Sequence, residues 1–169
     1  MRRCTAVLAA LLVGAALLIC ASAGLAATSQ QTLTVHATVA ARATLTLGVT
    51  DIHFPASDPD ATPAIDATEN PVSVDVKAHS GSSSTVTLTC QANGDLVSGG
   101  DTIGIDQVSW TVTGAGFAAG TMSKSSGVSA GSWTGSGSRS GTFSFALANS
   151  WSYATGAYSQ TVVYTLTAP

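Results

Sequence analysis

The chain has 169 residues, a formal net charge of −3 and only 9% charged side chains against 45% hydrophobic ones. That length allows one domain, or one domain and a processed segment. Nucleic acid and anionic lipid are excluded as partners, because both need Lys and Arg clusters that are missing here. Ser, Thr and Gly carry the solubility instead of charge.

The N-terminus reads as a secretory signal peptide over residues 1–27. Arg2 and Arg3 supply a positive start, and every residue from Ala6 to Ile19 is apolar or Gly. Small residues follow, with possible cleavage after Ala23, Ala26 or Ala27. The apolar run is shorter than the ~20 residues a membrane span needs. The mature domain, 28–169, is therefore expected to be secreted, periplasmic or on the cell surface, with no membrane contact once the signal is removed. Cys4 and Cys20 leave with the signal, so Cys90 stands alone and no intramolecular disulfide can form. Cys90 shares an alternating face with Val86 and Leu88, which reads as a buried small apolar residue. An intermolecular disulfide is the other reading.

Between Thr32 and Val49 every odd position is apolar, from Leu33, Val35, Ala37 and Val39 to Leu45 and Leu47. Side chains alternate faces along a strand, so this predicts one or two long half-buried strands with a bend near Ala40-Ala41. Asp51 to Pro71 is broken by Pro59, Pro63 and Pro71 and reads as an ordered irregular loop. Val72-Val74-Val76 and Val86 to Ala92 predict strands, joined by a hairpin-like connection at Ser80 to Ser84. Asn93-Gly94-Asp95 marks a turn. Ile103 and Ile105 begin a further strand, and Val108, Trp110 and Val112 continue it in opposite parity, which predicts a β-bulge near Asp106-Gln107. Gly114 to Gly141 is Gly/Ser-rich with embedded large apolar residues, so loops and short edge strands are expected. Phe143, Phe145 and Leu147 alternate, as do Val162, Tyr164 and Leu166. Many short strands without helical periodicity predict an all-β sandwich or barrel.

Chemistry-bearing motifs are sparse. Gly127-Val128-Ser129-Ala130-Gly131 has the spacing of a nucleophile elbow, but no helix pattern follows it and all three histidines, His36, His53 and His79, lie upstream. The histidines show no metal-ligand spacing. Asp58, Asp60, Asp66 and Glu69 form a weak calcium candidate, with Pro63 where a calcium loop needs Gly, so a solvated acidic loop is the plainer reading. Trp133, Trp151 and Tyr153 sit in Ser/Gly-rich surroundings and are candidates for stacking on a sugar. No catalytic residue and no cofactor site is expected.

The ends of the chain carry a resemblance. Leu33-Thr-Val-His-Ala-Thr-Val-Ala-Ala-Arg-Ala-Thr-Leu45, with Ile52-His-Phe54, resembles the start of spore coat protein U-like secreted domains, relatives of chaperone–usher pilins. Thr155 to Thr167 resembles their final Gly-x-Tyr strand. Those domains usually carry a cysteine where this chain has Ala43, so their disulfide is missing. Tyr164 to Pro169 is similar, more weakly, to the C-terminal end of WxL cell-wall-binding domains, with Tyr164 where their tryptophan stands. The resemblance implies an immunoglobulin-like antiparallel β-sandwich, one that a strand from a partner can complete. Leu33, Val35, Ala37 and Val39 are the candidate partner strand, and pairing within their own domain is the other reading. The expected function is a non-enzymatic structural or adhesive protein of the bacterial cell exterior. Its partners would be copies of itself or related coat and pilus subunits. The alternative is a carbohydrate- or cell-wall-binding module that takes a cell-surface glycan.

Overall fold

A computed structural model describes residues 27–169, so the signal peptide expected at 1–27 lies, except for Ala27, outside the described residues. The chain divides into two units, one up to His36 and one from Ala37 to Pro169. In the first, residues 27–36 carry no strand and are exposed. The second holds eleven strands and, among the described residues, no α-helix.

One sheet is built from β1 (Arg42–Leu47), β2 (Ala64–Asp66), β3 (Val72–His79), β7 (Val108–Thr113), β8 (Gly120–Thr121) and β10 (Gly137–Ala148). Its order is β1-β3-β10-β7-β8, with β2 on β10 beyond the end of β3, and its pairings are antiparallel. The second sheet joins β4 (Thr85–Ala92), β9 (Val128–Thr134) and β11 (Val162–Thr167) in the order β11-β4-β9, also antiparallel. A hairpin of β5 (Leu96–Ser98) and β6 (Asp101–Ile103) stands apart.

Alternation explains the layers. In β3, Val72, Val74, Val76 and Ala78 point inward while Ser73, Asp75, Lys77 and His79 face solvent. In β4, Val86, Leu88, Cys90 and Ala92 point inward against them. The period of two gives each sheet one apolar face, and the two faces bury each other. Trp110, Phe143 and Leu88 are the largest fully buried side chains of the single core. Phe143 meets Phe117 and Phe145 edge-to-face, at centroid distances of 5.5 and 6.3 Å.

Several expectations are corrected. Thr32 to Val39 is not a strand: the ladder begins only at Arg42. The odd side chains have no sheet face to bury against, and Leu33, Val35 and Val39 are 86, 80 and 77% exposed. Ser80 to Ser84 is not a hairpin, because β3 and β4 lie in different sheets and the turn carries the chain across the core. The parity change after Ile105 comes from a 3-10 turn, Ile105–Gln107, and not from a bulge. A register shift does occur between β4 and β9 at Leu88/Thr89, which leaves Ala130 without an opposite residue. The Gly/Ser-rich stretch holds the seven-residue strand β9, and Trp133 within it is buried.

The two edges of the sandwich differ. On one side the chain between β7 and β9 closes the gap: Ser132 N donates to Gly116 O at 2.8 Å and Ala118 N to Ala130 O at 3.0 Å. This close approach requires glycine at 131, where a Cβ would sit 2.7 Å from Gly116 O. On the other side the edge strands β1 and β11 are near each other but not hydrogen-bonded.

Candidate functional site

The open side is a groove of about 710 Å³. One wall carries Leu47, Val49, Ile52 and Phe54, at the end of β1 and just after it. The other carries Val162 and Tyr164 of β11. Its floor is core, including Val74, Phe143 and Phe145, and its end is closed by Leu96, Ile103 and Tyr158. All six wall residues are only half-buried, although they point the same way as fully buried core residues. On the closed side Trp110, Ala130 and Trp133 are buried. The apolar face is therefore longer than the two sheets cover.

Among the described strands, β11 has β4 on one flank and β1 has β3 on one flank, and neither has a second partner. Each edge presents backbone N–H and C=O groups that a further strand could use. Tyr164 links the β11 wall to the floor. Its ring lies 6.2 Å from that of Phe143, and its hydroxyl is buried without a hydrogen-bond partner. Burial, and secondarily the nearby Cys90, pushes that phenol far above its usual range.

The groove wall after β1 is held by a pair that sequence reading did not join. His53 N donates to Glu69 Oε2 at 2.7 Å, and His53 Nδ1 lies 2.8 Å from Glu69 Oε1. The backbone N–H of His53, followed by its ring, lowers the Glu69 carboxyl below its ordinary value. Sixteen positions separate the two residues, and no local motif links them.

The acidic loop does not converge. Asp58 caps its own turn by accepting Asp60 N at 3.0 Å. Asp60 accepts Trp151 Nε1 at 3.1 Å. Asp66 lies exposed in β2, and Glu69 is engaged by His53. Among the described residues no three of His, Cys, Asp and Glu gather as a metal-holding group.

The aromatic set does not form one platform either. Trp133 faces the core with the Arg139 guanidinium 5.9 Å above its ring. Tyr153 is half-buried, and Trp151 alone is well exposed, at 70%. Ser129 of the nucleophile-like motif lies within β9, not on a strand-to-helix turn. Cys90 is buried, and burial pushes its thiol up to about 11. No helix among the described residues is long and apolar enough to cross a membrane. No protein-family model matches the chain, and no curated protein matches it.

Proposed function

We propose that this is a non-enzymatic structural subunit of the bacterial cell exterior, an immunoglobulin-like sandwich short of one strand, which assembles by strand exchange. The observation that carries the reading is the groove between β1 and β11, apolar along both walls and flanked by two edges that have no further partner among the described strands. The occupant is the segment 28–41 of a second copy. Leu33, Val35, Ala37 and Val39 alternate along it with Thr34, His36 and Thr38, the pattern of a strand with one apolar face. Burying the larger three would contribute about 1.5–3 kcal/mol each, and the edges would add backbone hydrogen bonds.

Chain connectivity favours a neighbour over self-pairing. To lie beside its own β1, the segment would have to reverse at Val39-Ala40-Ala41-Arg42. A two-residue hairpin needs residues that accept positive φ, such as Asn and Gly, and none is there.

The test is light scattering on size-exclusion peaks of 28–169, beside a chain starting at Ala40 and the variant Val35→Asp. Oligomers from the first and monomers from the other two are expected. A stable monomer from the unaltered 28–169 chain would sink the proposal. A surface-glycan reading keeps one specific support, the exposed Trp151. A glycan array that finds no binder, or a binder that Trp151→Ala leaves untouched, ends it.

A further inference from the structure

Beyond β1, the groove wall is chain without a ladder. Gly48 N donates to Ser73 O at 2.8 Å, the last backbone bond from this stretch to β3. From Val49 to Phe54, among the described residues, every hydrogen bond to the rest of the fold converges on His53. Its N–H and Nδ1 meet the two oxygens of Glu69, and its carbonyl accepts Thr68 N and Thr68 Oγ1, both at 2.9 Å. The reason lies in the sequence next to β3. The ladder of β3 begins only at Val72, so the chain after Gly48 has no strand to pair with on that side. The His53 N–H still needs an acceptor, and a carboxylate three residues before Val72 supplies one. Ile52 and Phe54 flank His53 and line the groove, while the His53 side chain is 73% exposed. The wall is thus gripped from its outer face.

We infer that the His53–Glu69 clamp is the positioning element of the groove, holding Ile52 and Phe54 where an incoming strand packs against them. The role rests on the strand-exchange reading. Neither residue touches the occupant. Each acts through the two apolar neighbours of His53, so loosening the clamp leaves the core intact and shortens the life of the strand–groove contact. The clamp is one charge-assisted pair of hydrogen bonds, and losing it is expected to speed strand release about tenfold.

The experiment uses assemblies of 28–169, diluted into an excess of a synthetic peptide of residues 28–41, with subunit release followed by light scattering. Glu69→Ala is expected to release about tenfold faster than the unaltered chain, and His53→Ala, which keeps the backbone N–H to Glu69 and loses only the ring bond, is expected to fall between the two. Glu69→Gln keeps an acceptor for the His53 N–H and is expected to fall close to the unaltered chain. Hydrogen exchange at the His53 amide should speed up in Glu69→Ala while β3 and β10 amides stay protected, which separates a loosened wall from a loosened fold. Unchanged release in Glu69→Ala and His53→Ala overturns the clamp and leaves strand exchange standing. Equal release from Glu69→Gln and Glu69→Ala also overturns it. An unaltered chain that neither assembles nor binds the peptide overturns strand exchange itself, and the clamp with it.

Discussion

Asn70 and Phe145 exchange two hydrogen bonds across 75 positions of sequence: Asn70 Nδ2 donates to Phe145 O at 2.8 Å, and Phe145 N donates to Asn70 Oδ1 at 2.8 Å. A side-chain amide here does the work of a strand neighbour. On this flank β10 pairs with β3 up to Phe143 and with β2 from Ala146, so Phe145 falls in the gap between two partners. Ala67 N closes it further by donating to the same carbonyl at 3.0 Å.

Asn70→Ala is therefore expected to cost about 1–3 kcal/mol, since it leaves a backbone N–H unpaired beside the core. Asn70→Asp keeps the acceptor for Phe145 N but sets a carboxylate oxygen against the Phe145 carbonyl, so it should cost at least as much. Urea unfolding reads both, and the slope with denaturant should not change. A cost below about 0.5 kcal/mol for Asn70→Ala would mean that water replaces the amide there.

Trp110 anchors the closed side. Its ring is 2% exposed, its Nε1 donates to Ala118 O at 2.8 Å, and Gly120 lies against the ring so closely that a Cβ would come within 2.7 Å of it. Trp110→Ala is expected to lose about 3–5 kcal/mol. Gly120→Ala is expected to lose about 1–3 kcal/mol by overpacking. Thermal melts of the two variants check this. A neutral Gly120→Ala would show that β8 can shift outward without loss.

Cys90 gives a pH prediction on the alkaline side. Its ordinary value is 9.0, and burial raises it to about 11 in the fold. The folded chain thus keeps a proton that the unfolded chain releases, so this contribution to stability is complete below about 9 and disappears as pH rises through about 11. The thiol should resist disulfide reagents at pH 8 until the chain is unfolded. Fast labelling of the native chain would contradict a buried Cys90.

The core was legible because the alternation in β3, β4 and β10 is local, and each strand declares its inner face by period alone. What period cannot give is the partner. Leu33 to Val39 has the same alternation as β3 yet no sheet to lie on, because a pattern states which face wants burial and not who buries it. The Gly and Ser neighbours of Trp133 made it a candidate for stacking on a sugar, but those small residues let β9 lie close under the 116–118 chain. The His53–Glu69 pair left no trace in sequence, since its sixteen-residue span is set by how the irregular loop folds back.

Glu69 gives the matching prediction on the acid side. Its carboxyl is held below the ordinary 4.5 by the His53 backbone N–H and then by the His53 ring. The folded chain therefore stays ionised where the unfolded chain takes up a proton. The stabilisation is present above the unfolded value and is lost as pH falls through the lower, folded one. Asp95 behaves alike, held down by Lys124 and by the Ile105 N–H, so the total acid loss has at least two sources. Glu69→Gln isolates one of them. Urea midpoints measured from about pH 6 to pH 3 should show the unaltered chain more stable than Glu69→Gln near neutrality. The difference should narrow below the ordinary carboxylate value. Asp95→Asn should narrow in the same direction through a different pair. Parallel curves for Glu69→Gln and the unaltered chain would show that the charge on Glu69 adds nothing, and that the clamp holds His53 by hydrogen-bond geometry alone.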